Sequence, residues 1–160
     1  MLYLLDSSLL IRANNEFYPM RRFWQVWEWI ETKAKSGQIK IPIEVFSELL
    51  DYDDELAKWA KSREGIFVID EEISHLSDIY SIGYGFSNEP TETQKETMGK
   101  DPFLINYCLN DFQNRVAVSN EVSKPSKKEQ NRKIPDVCTS LGIKHVYMPL
   151  LLRELDFIEK

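Results

Sequence analysis

Four acidic residues stand beside the ends of predicted elements: Asp6, Glu48, Asp101 and Glu121. Asp6 closes the apolar run Leu2-Tyr3-Leu4-Leu5, and Glu48 lies on the segment after Ile39-Lys40-Ile41-Pro42. Asp101 opens the helix-like stretch Asp101-Pro102-Phe103-Leu104-Ile105, and Glu121 follows Val116-Ala117-Val118-Ser119. Carboxylates that converge from four segments repel one another unless positive charge lies between them. A hard divalent cation such as Mg²⁺ or Mn²⁺ takes oxygen ligands and is the natural counter-charge. The pattern therefore points towards metal-assisted phosphodiester chemistry.

Each acid also has a plainer role open to it. Asp101 before Pro102 suits a helix N-cap with proline at the first helical position, and Asp6 before Ser7-Ser8 could be a cap as well. Glu44 competes with Glu48 on the same segment. Asp136, after Pro135, reads as a first-turn helix charge that could also touch the site. Asp51, Asp53, Asp54 and Glu55 read as solvated surface. One basic stretch, Lys124, Lys127, Lys128, Arg132 and Lys133, is either a phosphate-binding arm or an ordinary solvated loop. No Gly-rich phosphate loop, nucleophile elbow or H-E-x-x-H motif is present.

The elements that must position these residues alternate between strand and helix. Leu2 to Leu5 reads as a buried strand feeding a capped helix, and Arg21 to Ser36 as a helix that ends at Gly37. Ile39 to Ile41 is strand-like, Ile43 to Leu50 and Leu56 to Lys61 helical, and Ile66 to Ile69 strand-like again. Asp70-Glu71-Glu72 suits the first turn of a further helix, where negative charge meets the positive end of the dipole. Gly83 to Lys100 is the one long candidate loop, with room for a helical turn around Glu92 to Met98. A helix from Pro102 to Phe112, a strand from Arg115 to Ser119 and the polar segment Lys124 to Lys133 follow. The chain closes with a helix at Ile134 to Leu141, a strand at Lys144 to Met148 and a helix from about Pro149 to Leu155. This order predicts an α/β fold, a three-layer open sheet of about five mainly parallel strands flanked by helices. In such sheets ligands bind beyond the carboxyl ends of the strands, which is where Asp6 and Glu121 fall.

A chain of 160 residues with 42% hydrophobic side chains reads as a single domain with a real core. A net charge of −6 argues against coating nucleic acid through overall charge, though a local basic segment could still meet a phosphate. Cys108 and Cys138 form no C-x-x-C pair, and with His75 and His145 scattered a zinc site has little support. Asp6 cuts the first apolar run too early for a signal peptide, and no run approaches the roughly 18 apolar residues of a membrane span. The chain reads as cytoplasmic with reduced thiols. Trp27 fits the apolar stripe of its helix, whereas Trp24 and Trp29 lie off it, so one of them could face a protein partner.

The order Leu-Leu-Asp-Ser-Ser, Ile-Pro-Ile-Glu-Val-Phe-Ser-Glu-Leu, Asp-Pro-Phe-Leu-Ile and Val-Ala-Val-Ser-Asn-Glu resembles the PIN domain. The resemblance extends through Lys133-Ile134-Pro135-Asp136-Val137-Cys138 and covers roughly residues 1 to 155. It is closest to a bacterial PIN-like family related to the toxin ribonucleases of toxin–antitoxin pairs. It implies a metal-dependent endoribonuclease whose clustered acids are Asp6, Glu48, Asp101 and Glu121, with a cognate antitoxin or a second copy of the chain as partner. Glu121 stands where many such toxins carry Asp, and Lys100 where relatives often have a small residue. Because Mg²⁺ keeps several waters, Asp6 and Asp101 are expected against the metal, with Glu48 and Glu121 direct or water-mediated. Ser7 and Ser119 could orient ligands or a substrate phosphate, and Lys127 and Lys128 could meet the RNA backbone. A PIN-fold binding module without catalysis is the competing expectation.

Overall fold

The computed structural model describes residues 1–157. Five strands, β1 (Leu2–Leu5), β2 (Ile39–Pro42), β3 (Val68–Ile69), β4 (Arg115–Val118) and β5 (Lys144–Val146), form one sheet in the order β3-β2-β1-β4-β5. Every pairing is parallel. Helices flank this open sheet, the three-layer PIN-like arrangement that the resemblance implies. Leu4, Leu5, Val116, Ala117 and Val118 are all fully buried. A strand covered on both faces needs apolar side chains at successive positions, which is why these segments read as unbroken apolar runs.

The chain leaves β1 for β2 on one side and returns from β3 to β4 on the other. The strand order therefore reverses between β1 and β4, and a crevice opens there at the carboxyl edge of an open sheet. Asp6 follows β1, and Glu121 lies three residues beyond β4.

The helices α1 (Ser7–Arg12), α2 (Trp24–Lys35), α3 (Ile43–Leu49), α4 (Glu55–Lys61), α5 (Glu64–Phe67) and α6 (Leu76–Asp78) occupy the first half. α7 (Glu92–Met98), α8 (Asp101–Asn110), α9 (Ile134–Leu141) and α10 (Met148–Glu154) follow, and π-helical turns at Ala13–Phe17 and Ile79–Gly83 extend α1 and α6. In α2 the residues Val26, Trp27, Ile30 and Ala34 are buried, the helical stripe read in the sequence. Trp27 is 2% exposed and donates Nε1–H to the Tyr18 carbonyl at 2.7 Å, whereas Trp24 is 55% exposed. Trp29 packs edge-on against Phe157.

Several boundaries differ from the sequence reading. The helix expected from Arg21 starts at Trp24, and the strand expected over Ile66 to Ile69 shrinks to Val68–Ile69 because Glu64–Phe67 is helical. Asp70-Glu71-Glu72 begins no helix. Glu71 instead takes a two-pronged ion pair from Arg115 at 2.5 and 2.7 Å, which ties this connection to β4. Asp54 is the N-cap of α4, accepting from the Ala57 N–H at 2.8 Å. α7 carries a reciprocal Thr91–Gln94 capping box, which makes a helix of part of the long candidate loop. Both cysteines are buried and free, and among the described residues no helix is long and apolar enough to cross a membrane.

Candidate active site

The four acids predicted from the sequence meet at the crevice between β1 and β4. Asp6 is 5% exposed, and burial pushes its carboxyl up to about 6, with further repulsion from Glu121 and Glu48 and relief from a Ser8 hydrogen bond. Asp101 is held well above the usual carboxylate range by burial first, then by repulsion from Asp6, Glu121 and Glu48; Lys133 opposes this. Asp6 and Asp101 thus both lie in the field of Glu48 and Glu121, and Asp101 in that of Asp6 as well, although the four acids come from separate segments.

Neither aspartate is spent as a helix cap. Asp6 occupies the N-cap position of α1 without a side-chain capping bond, and its Oδ2 accepts from the Ser8 hydroxyl instead. Asp101 is the first helical residue of α8, behind Lys100, and makes no capping bond either. Removing those alternatives leaves the buried Asp6 and the partly buried Asp101 without a compensating ion pair among the described residues, a costly arrangement for charges taken from water.

Glu48 wins over Glu44. The Ser7 hydroxyl donates to Glu48 Oε2, and Gly99, with φ of +58°, brings the chain before α8 alongside the same carboxylate. Glu44 belongs to another neighbourhood, where its charge acts on the Tyr107 phenol. Ser7 and Ser8 therefore link the first turn of α1 to two of the acids, and Ser8 is a contributor that the sequence reading had treated only as part of a cap.

Glu121 reaches across to α9, where its Oε2 accepts the Ile134 N–H at 2.7 Å. The extra methylene relative to Asp makes this span possible while the residue still lines a cleft with Asp101. That cleft, about 190 Å³, is also lined by Thr97, Lys127, Gln130, Asn131, Arg132 and Lys133. Acids and cations thus share one opening.

The basic stretch divides into different roles. Lys127 and Lys133 line the cleft, whereas Lys128 does not. Arg132 is tied down by bonds to the Gly83 carbonyl, to Ser140 Oγ at 2.9 Å and to the Asp136 carbonyl at 3.2 Å. Asp136 accepts from the Ser123 hydroxyl and from the Lys124 N–H at 2.8 Å, so it anchors the loop after β4. Lys100 lies over the Phe103 ring, 5.5 Å from its centroid. Ser119 is fully buried, and its hydroxyl pairs with His145 Nε2 at 2.8 Å on the neighbouring strand, an engagement that holds β4 and β5 together.

The donor set is four carboxylates with hydroxyls beside them, all oxygen, which suits hard Mg²⁺ or Mn²⁺ and not a thiophilic metal. Asp6, Glu48, Asp101 and Glu121 are the side chains that could hold such an ion. Among the described residues no three His, Cys, Asp or Glu side chains close to joint ligand distance. Glu48 is held by Ser7 and Glu121 by the start of α9.

Residues 3–158 match the family described as a domain of unknown function, DUF4411, and the chain belongs to that family. No curated protein and no solved structure matches it.

Proposed function

We propose that this protein is a divalent-metal-dependent endoribonuclease that hydrolyses RNA phosphodiester bonds at the Asp6–Glu48–Asp101–Glu121 crevice. The observation that carries this reading is that the buried Asp6 and the partly buried Asp101 both lie in the field of Glu48 and Glu121, with no cation among the described side chains in an ion pair with either aspartate. Buried like charges raise each other's proton affinity and call for a positive ligand. A Mg²⁺ or Mn²⁺ ion held there supplies activation of water and neutralisation of charge on the phosphoryl and leaving oxygens.

The side chains of the chain itself have distinct tasks in this reading. Ser7 and Ser8 fix the carboxylates of Glu48 and Asp6 by donating to them. Lys127 and Lys133, which line the cleft with Asp101, attract the phosphate backbone that the overall charge of −6 would repel. Thr97, Gln130 and Asn131 offer uncharged polar contacts in the same cleft. Lys128, outside this cleft, acts on RNA only at longer range. The PIN resemblance adds a role as the cytoplasmic toxin of a toxin–antitoxin pair, with a cognate antitoxin or a second copy as partner.

A second reading has its own support. Glu121 already bonds to α9, and Ser119 is engaged by His145, which fits a PIN-fold module that binds RNA or protein without cutting. A labelled single-stranded RNA incubated with Mn²⁺ or with chelator separates the two. Cleavage that needs the metal supports the nuclease; retention of intact RNA under both conditions supports the binding module.

A further inference from the structure

Tyr84 sits behind the crevice, 1% exposed, and its hydroxyl has no hydrogen-bond partner. Among the described residues two other buried side-chain atoms are similarly orphaned, Trp29 Nε1 and Glu44 Oε2. Trp29 packs against Phe157, and Glu44 acts on Tyr107. Tyr84 alone of the three has the site acids as neighbours: its phenol is pushed well above its ordinary value by burial first, then by the fields of Asp101 and Glu121.

The position of this ring is strongly determined. The Tyr84 N–H donates to the Ile79 carbonyl at 2.9 Å and closes the π-helical turn. The preceding Gly83 lies so near α9 that an added Cβ would meet Val137 and Leu141 at 2.9 Å. Arg132 holds the Gly83 carbonyl from the other side. The same helix, α9, receives Glu121 at Ile134. Tyr84 and Glu121 are therefore both referenced to α9, which fixes the phenol relative to Glu121.

A buried hydroxyl left without a partner is costly, so a ring constrained in this way implies that something accepts its proton. No protein acceptor is in reach, whereas Asp101 and Glu121 are close enough to be felt. A buried water needs two to four polar partners, and the phenol with these two carboxylates supplies three.

We propose that Tyr84 is a positioning residue of the acidic site: its hydroxyl donates, through one enclosed water, to the Asp101–Glu121 pair and fixes the face that this pair turns to a cation. This inference rests on the metal-site reading above. The phenol acts through the carboxylates and touches neither cation nor RNA.

The test is Mn²⁺ binding, followed by the paramagnetic resonance signal of the free ion, for wild type, Tyr84→Phe and Tyr80→Phe. Metal-free melting temperatures are measured in parallel. Tyr84→Phe is expected to bind Mn²⁺ about tenfold more weakly, as for other outer groups that orient metal ligands. Its metal-free melting temperature should fall by no more than about 2–4 °C, because the ring is kept and only the water-mediated bond is lost. Tyr80→Phe, on the same turn, should bind as the wild type does. Mn²⁺ affinity within about twofold of wild type, whatever the melting temperature, would mark Tyr84 as packing only and overturn the inference. Absence of Mn²⁺ binding by the wild type would instead remove the metal site itself, and this inference with it.

Discussion

The Glu121 carboxylate accepts the Ile134 N–H at 2.7 Å while lining the same cleft as Asp101. One oxygen of this side chain thus caps α9, and the other is left to the acidic crevice. Helix capping and ligand holding can be separated by substitution. Glu121→Ala should lose about 1 kcal/mol of stability, as a lost cap does. Glu121→Gln keeps an acceptor for Ile134 and removes a charge that repels Asp6 and Asp101, so without metal it should be at least as stable as wild type yet bind Mn²⁺ more weakly. Denaturant melts and Mn²⁺ titrations of both variants check this; equal metal affinity in Glu121→Gln would confine Glu121 to the cap.

Asp101 makes the metal-free protein pH-sensitive in a defined direction. Its carboxyl is raised by burial, then by Asp6, Glu121 and Glu48, so the folded chain holds the proton that the unfolded chain releases. A raised carboxyl contributes stability that is complete below the unfolded value near pH 4 and is lost as pH rises through the folded value. Asp101→Asn removes the charge and keeps the shape. In chelator at pH 7.5 the variant should melt above wild type, by about 2–4 °C for each kcal/mol of repulsion relieved, and the gain should vanish towards pH 4. A variant that melts below wild type at pH 7.5 contradicts the electrostatic account.

His145 carries the opposite sign. Burial lowers its imidazole to about 4, so the ring stays neutral against Ser119. Its contribution is present above the unfolded value near pH 6.5 and is lost as pH falls through about 4. An NMR titration of the His145 ring protons should show no protonation until about pH 4. Titration above pH 6 would mean that the β4–β5 edge is open to water.

Much of this was legible in the sequence because the signals were local. Buried parallel strands read as apolar runs, and α2 and α9 as helical periods. Asp6 and Asp101 were legible as element-end acids, and the structure removed their capping alternatives. The Asp70–Glu72 segment was misread because first-turn acids look alike whether a helix follows or not; the Arg115 partner lies more than forty residues away. Ser119 was assigned to the site from its neighbour Glu121, and only the pairing of β4 with β5 shows that its hydroxyl meets His145. Lys133 was legible as part of the basic stretch, whereas Tyr84 depends on how α9 and the π-helical turn pack together, which no local pattern records.

Lys127 and Lys128 differ by one position and should differ in effect, because only Lys127 lines the cleft. Lys127→Ala should reduce the salt dependence of RNA binding by about 0.7 in the log–log slope, the value for one phosphate contact on a single strand. Lys128→Ala should change it less. Filter binding across a salt series checks both, and equal slopes for the two variants would contradict the cleft assignment.

The most direct measurement is cleavage of total cellular RNA by the purified chain with Mg²⁺ or Mn²⁺ and with chelator, beside Asp101→Asn prepared identically. The acidic-crevice account predicts discrete metal-dependent fragments from the wild type and none from the variant. The same products from both proteins, or none from a folded, metal-binding wild type, would contradict it.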